Sequence, residues 1–285
     1  MVSAEQVTDP IAFHAEGAVW SEAWGGLKWV DMFRGDVLSL APDGSVDRMP
    51  TGSTIAAMVR PRVGGGFAVV TEREFTLWGA DGEREWASEP VWEASAGIRF
   101  NEGGCDPEGR LLCGTMAYER TPGAASVWRL GADRSIESVL AGSTISNGLG
   151  FTADGSRMFY VDTPTRRIDV FDYADGALSD RRPFVHVAEG AGNPDGLWVD
   201  AEDGVWVALY GGAAVHHYDA SGALADVVEV PATKVTSCTF GGPDLSTLYI
   251  TTSREGLADD EQPLAGSLFA APTGVRGTRV RPFAG

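Results

Sequence analysis

Four polar residues recur at one phase of this sequence. Glu16, Asn101, Asn147 and Asp195 each stand about ten residues before a short apolar run. One Glu, one Asp and two amides form an all-oxygen donor set, which suits a hard divalent cation such as calcium, magnesium or manganese. Carboxylates gathered out of water need a partner, so convergence of these side chains implies an ion among them. Taken one at a time, they read equally well as Asx-type turn residues at strand entries. The loop 115–120 follows the apolar run after Asn101. Its Glu119, with Tyr118, either reaches over the same point or is an ordinary solvated loop carboxylate.

Other chemistries fit less well. No Gly-x-Ser-x-Gly elbow is present to carry a nucleophilic serine. Cys238 is in phase with the polar set but reads as a small buried hydrophobe lining the core or channel. Three cysteines, Cys105, Cys113 and Cys238, without metal-type spacing argue against a disulfide framework and a zinc cluster. His14 lies two residues before Glu16, on the same strand face. It is either a neighbour of the site or a satisfied histidine. His216 and His217 fall in a third strand, away from the expected mouth, so no histidine joins the polar set. That weakens a His-dependent phosphotriesterase reading.

The elements that position these residues are read from a repeat. Apolar runs begin at Leu27, Phe67, Leu111, Met158, Val205 and Leu248, at intervals of 40, 44, 47, 47 and 43 residues. Four short strands and their turns need about that length, as in propeller blades. Third strands follow at 36–40, 167–171 and 214–218, each succeeded by an Asp-Gly or Ser-Gly turn. With 37 Gly and 15 Pro in 285 residues, turns are abundant. No window of ten residues shows helical apolar periodicity. The expectation is an all-β, six-bladed β-propeller with a central metal site, forming a single domain over residues 1–285. The polar set then opens the innermost strands and converges beside the central channel, with Ala57 and Cys238 at the same phase in the second and sixth units. Either 280–283 or 2–7 completes the last blade. Trp20, Trp198 and Trp206 alternate along strands and read as packing between blades.

The net charge of −18 leaves no basic stripe for phosphates, which excludes a nucleic-acid partner. An anionic membrane would repel this surface, and no apolar run approaches the roughly 18 residues of a membrane span. The first residues lack a signal-peptide pattern. A cytoplasmic protein acting on a small substrate, neutral or cationic at its reacting centre, is expected.

Several stretches together point to one family. They are Glu-Gly-Ala-Val-Trp (16–20), Trp-Val-Asp (29–31), Arg-Phe-Asn-Glu-Gly (99–103), Asp-Pro-Glu-Gly-Arg (106–110), Gly-Thr-Met (114–116), Ser-Asn-Gly-Leu (146–149), Pro-Asp-Gly (194–196) and Thr-Ser-Cys (236–238). The chain resembles the family of senescence marker protein (regucalcin), gluconolactonase and luciferin-regenerating enzyme. The resemblance implies a six-bladed propeller with one catalytic divalent metal ion: calcium, zinc, manganese, magnesium or iron. It implies Glu16, Asn147 and Asp195 as metal ligands, and Arg99, Asn101 and Glu119 as substrate contacts. It further implies hydrolysis of a sugar lactone, with the metal polarising the lactone carbonyl and Asp195 as general base. Organophosphate hydrolysis, as in some relatives, or calcium binding without turnover are the alternatives. Three departures bear on the substrate: Glu102 where many members have Asp, Gly104 where Lys is frequent, and Tyr118 where some relatives carry a second acid.

Overall fold

The structure, a computed structural model, describes residues 2–258 and 260–285. It is built from six sheets, five of four strands and one of five, and the first five blades run in chain order from the centre outwards. The innermost strands are Ala15–Ser21, Ala56–Pro61, Ile98–Cys105, Ser146–Phe151, Asn193–Val199 and Val235–Gly241. The second strands begin within one residue of the six positions expected from the apolar runs. That signal was visible because neighbouring blades cover both faces of these strands. Phe67–Thr71 is buried at every position, whereas the outermost Val46–Pro50 is half-buried or exposed. Among the described residues, helix is confined to four short 3-10 turns, and no helix is long and apolar enough to cross a membrane.

The last blade is closed by the N-terminal segment. Glu5–Gln6 pairs antiparallel with Phe269–Pro272, and Val2–Ser3 runs parallel to Leu224–Glu229 on blade five. Residues 280–283 are therefore not its outer strand. They belong to a strap, residues 273–285, that crosses the far end of the channel. Gly277 N donates to Leu245 O on blade six at 2.9 Å, and Thr278 Oγ1 to Val199 O on blade five at 2.7 Å. Arg281 Nη2 reaches Thr152 O on blade four at 2.8 Å, and Ala284 N reaches Gly109 O on blade three at 2.8 Å. Phe283 is fully buried, and its N donates to Pro61 O on blade two at 2.7 Å.

The tryptophans and the paired histidines are structural. Trp20 of blade one stacks on Tyr249 of blade six, with centroids 5.9 Å apart. Trp206 stacks on His217 at 4.2 Å, and Asp200 holds both, at 2.9 Å from Trp206 Nε1 and 3.0 Å from His217 Nε2. His216 Nδ1 meets Tyr218 Oη at 3.1 Å.

One irregularity repeats in all six blades. Pairing between the first and second strands slips at the same level, between Glu16/Val19, Ala56/Met58, Phe100/Gly103, Ser146/Leu149, Pro194/Leu197 and Val235/Ser237. A bulge bends its strand and re-aims a side chain. Glu16, Asn101, Asn147 and Asp195 all fall at these slips, so the backbone defect turns each of them toward the axis.

Candidate active site

The mouth at the entry end of the inner strands is a pocket of about 540 Å³, within the usual range for a small-molecule site. Glu16, Arg99, Asn101, Asn147 and Asp195 all line it, and all are buried. Two of the inner strands are held in place by the same device. At the end of the second strand of blade one, Asp31 Oδ1 accepts from the backbone N of Phe13 and of His14, each at 3.1 Å. On blade four, Asp162 Oδ1 accepts from Thr144 N at 3.1 Å and Ile145 N at 3.0 Å. The chain is thus clamped two residues ahead of Glu16 and of Asn147.

The donor orientation is fixed. Asn147 Nδ2 donates to Thr163 Oγ1 at 3.1 Å, and that hydroxyl donates to Pro194 O at 2.9 Å. The amide oxygen is thereby turned away from these contacts, and Asn147 Oδ1 has no hydrogen-bond partner. Asp195 Oδ1 is likewise buried without a partner. Orphaned buried acceptors cost about 1–3 kcal/mol each, so a bound cation would relieve both. Glu16 Oε2 accepts from Gly17 N at 3.0 Å. Burial, then the neighbouring Asp195 and Glu102, raise the Glu16 carboxyl well above its ordinary range; burial and Glu102 do the same for Asp195. Among the described residues no three His, Cys, Asp or Glu side chains gather around one point. The set is two carboxylates and one amide, an oxygen set fitted to a hard cation.

Glu102 lies deeper. With Arg60, Ser237 and Cys238 it lines a second, inner cavity of about 50 Å³, closed below by strap residues that include Thr278 and Arg281. Its Oε1 is 3.4 Å from Ser237 Oγ and its Oε2 is unpartnered. Burial pushes Glu102 up to about 7, while the Arg60 guanidinium pulls the other way. Arg60 thus faces Glu102 in the inner cavity, and Glu16 and Asp195 are the two buried carboxyls of the mouth. The extra methylene at 102 therefore faces the inner cavity and not the substrate mouth.

A model of the SMP-30/gluconolactonase/LRE-like region matches residues 14–254. The chain belongs to this family. It is 34% identical over 284 residues to a putative sugar lactone lactonase, YvrE, of Bacillus subtilis, covering 97% of each chain. It is 34% identical over 254 residues to pentonolactonase XacC of Haloferax volcanii, covering 88% of this chain and 86% of that one. Among solved structures, luciferin-regenerating enzyme superposes with a TM-score of 0.87 at 28% identity, covering 99% of both chains.

The ring residues expected from the sequence are brought together. Arg99 Nη1 donates to Asn101 Oδ1 at 2.7 Å, and Asn101 Nδ2 to Ser146 O at 2.9 Å. Asn101 thus links Arg99 on blade three to the strand of Asn147 on blade four. The Arg99 guanidinium lies over the Phe33 ring at 5.4 Å. Glu119 is exposed and outside the lining, where its neighbours Tyr118 and Arg120 stand instead. Tyr118 Oη meets Glu72 Oε1 at 2.5 Å. His14 is buried beside the site, with Nδ1 2.7 Å from Ser253 Oγ; burial, then Arg99 and Lys234, lower its pKa to about 3 and keep it neutral.

Phe33, Thr163, Tyr210 and Glu255 also line the mouth and were not singled out from the sequence. The signal was available. Each follows or ends a second strand, as Tyr118 does, and applying the returning-loop rule to every blade finds all four.

Proposed function

We propose that the protein is a divalent-cation-dependent lactonase that opens a neutral sugar lactone by attack of water. The observation that carries this reading is the pair of orphaned, buried oxygens, Asn147 Oδ1 and Asp195 Oδ1, on the floor of a substrate-sized pocket that also holds Arg99. The relatives named as sugar lactone lactonase and pentonolactonase support it. Glu16, Asn147 and Asp195 would hold the ion. When bound, a cation of this kind supplies Lewis-acid polarisation of the lactone carbonyl and of the attacking water.

The chain supplies the rest. Asp195 takes one proton from the water through its carboxylate as the water oxygen bonds to the carbonyl carbon. The ring C–O bond then breaks, and the leaving oxygen departs as a hydroxyl with that proton, giving the open hydroxy acid. Arg99, held by Asn101, stands beside the carbonyl end and favours the developing oxyanion. Phe33 and Tyr118 present aromatic surface to the C–H faces of the sugar ring. Glu119, on the exposed loop, serves the substrate only from the rim.

The reading is tested by chelating the protein and assaying a panel of aldonolactones, then restoring calcium, magnesium, manganese or zinc singly. Turnover should vanish on chelation and return with at least one ion. Turnover indifferent to chelation, or absent with every lactone and every ion, would sink it.

A further inference from the structure

Glu255 follows the second strand of blade six, Thr247–Thr252, and its side chain is 39% exposed where it lines the mouth. Its Oε2 accepts from Tyr210 Oη at 3.1 Å, and its backbone N donates to Ser253 Oγ at 2.9 Å. The same Ser253 hydroxyl meets His14 Nδ1 at 2.7 Å. Lys234 lies over the Tyr210 ring at 5.5 Å, yet its ammonium is directed to the Glu255 backbone carbonyl. The loop is therefore pinned at its backbone, while the side chain lines the pocket.

In a six-bladed ring, blades three and six are diametrically opposed. Arg99, Tyr118 and Arg120 come from blade three, and Glu255 from blade six. The mouth thus has guanidinium groups on one wall and the Glu255 carboxyl on the other, with Glu16 and Asp195 on the two blades that flank Glu255. A lactone whose carbonyl sits toward Arg99 and Asp195 must present its other end to Glu255 and Tyr210. A carboxylate accepts hydrogen bonds from hydroxyls and repels an anion across a partly desolvated gap.

We propose that Glu255, oriented by Tyr210, is the specificity-determining residue of the mouth: it accepts the exocyclic hydroxyls of an uncharged polyhydroxy lactone and turns away lactones that carry a free carboxylate. This rests on the reading of the site as a lactonase. A site that reads substrate hydroxyls with a charged acceptor discriminates strongly, because the analogue leaves a polar group badly matched.

The test uses the whole protein reconstituted with the ion that restores turnover. Its substrates are D-glucono-1,5-lactone, which is neutral, and D-glucaro-1,4-lactone, which bears a free carboxylate. The wild type should favour the neutral lactone in kcat/KM. Glu255→Gln should move that ratio about tenfold toward the acidic lactone, chiefly through KM. Glu255→Ala should shift it in the same direction, and Glu255→Asp, which keeps the charge, should restore the wild-type order. A ratio within about twofold of wild type in both neutral variants overturns the proposal and leaves the lactonase reading intact. Failure of the wild type on every lactone removes both.

Discussion

Glu16 and Asp195 place two like charges in one buried spot, and that fixes how the site must respond to pH. Both carboxyls are raised above their ordinary range, and Glu102 is raised from 4.5 to about 7. A group with a raised folded-state pKa stabilises the fold fully below its unfolded pKa and loses that contribution as pH rises through the folded value. The cation-free protein should therefore lose stability between about pH 5 and about pH 8. Cation binding needs ionised carboxylates and so displaces protons. Thermal melts with and without ion check both statements: the chelated midpoint should fall across that range, while the shift produced by the ion should grow. An ion-induced shift that is flat in pH would contradict the assignment of these ligands. At this scale the sequence was informative wherever a polar residue precedes a glycine. Glu16-Gly17, Asn147-Gly148 and Asp195-Gly196 mark three slips in register. Glu255 and Tyr210 carry no such mark, because a loop side chain needs no special backbone to reach the rim.

At the scale of the element, the bulge places the ligands, and small residues make the bulge possible. A Cβ on Gly196 would lie 2.6 Å from Ser237 Oγ and 2.8 Å from Ser237 Cα on the next blade. One on Gly148 would lie 2.5 Å from Leu197 N and 2.7 Å from Asp195 O. Inner strands thus pack backbone to backbone at the level of the donors. Gly196→Ala should cost about 1–3 kcal/mol by overpacking and weaken cation affinity, since Asp195 is its neighbour. Gly274→Ala, where an added Cβ meets nothing within 4 Å, should stay within about 0.5 kcal/mol of wild type. Urea denaturation and cation titration of the two variants separate these outcomes; equal stability would remove the packing argument. The strands themselves were legible because burial on both faces demands apolar runs. The choice between the two chain ends for the last blade was not. Both candidate segments are short, and pairing of Glu5 and Gln6 with Ala270 and Phe269 is made by backbone groups that no side-chain pattern announces.

Across the whole molecule, the strap ties five blades, two to six, to one segment of chain. Phe283 packs in the cluster that includes Val59, Phe67, Phe100, Cys105 and Leu111 of blades two and three. Phe283→Ala should cost about 3–5 kcal/mol and leave KM unchanged at temperatures where the variant is folded, because the strap lies at the far end of the channel. A raised KM without loss of stability would show that strap and mouth are coupled. The strap also sets an order in time. Its contacts on blades six to two exist only once those blades are made, and Glu5–Gln6 waits for Phe269–Pro272. A ribosome delivering this chain would hold an open arc, with an unpaired sheet edge on blade six, until Phe269–Pro272 emerges. Such long-range closure is slow, and exposed edges pair with one another. Yield in the cell is therefore expected to depend on what shelters that arc until the closing strand is made.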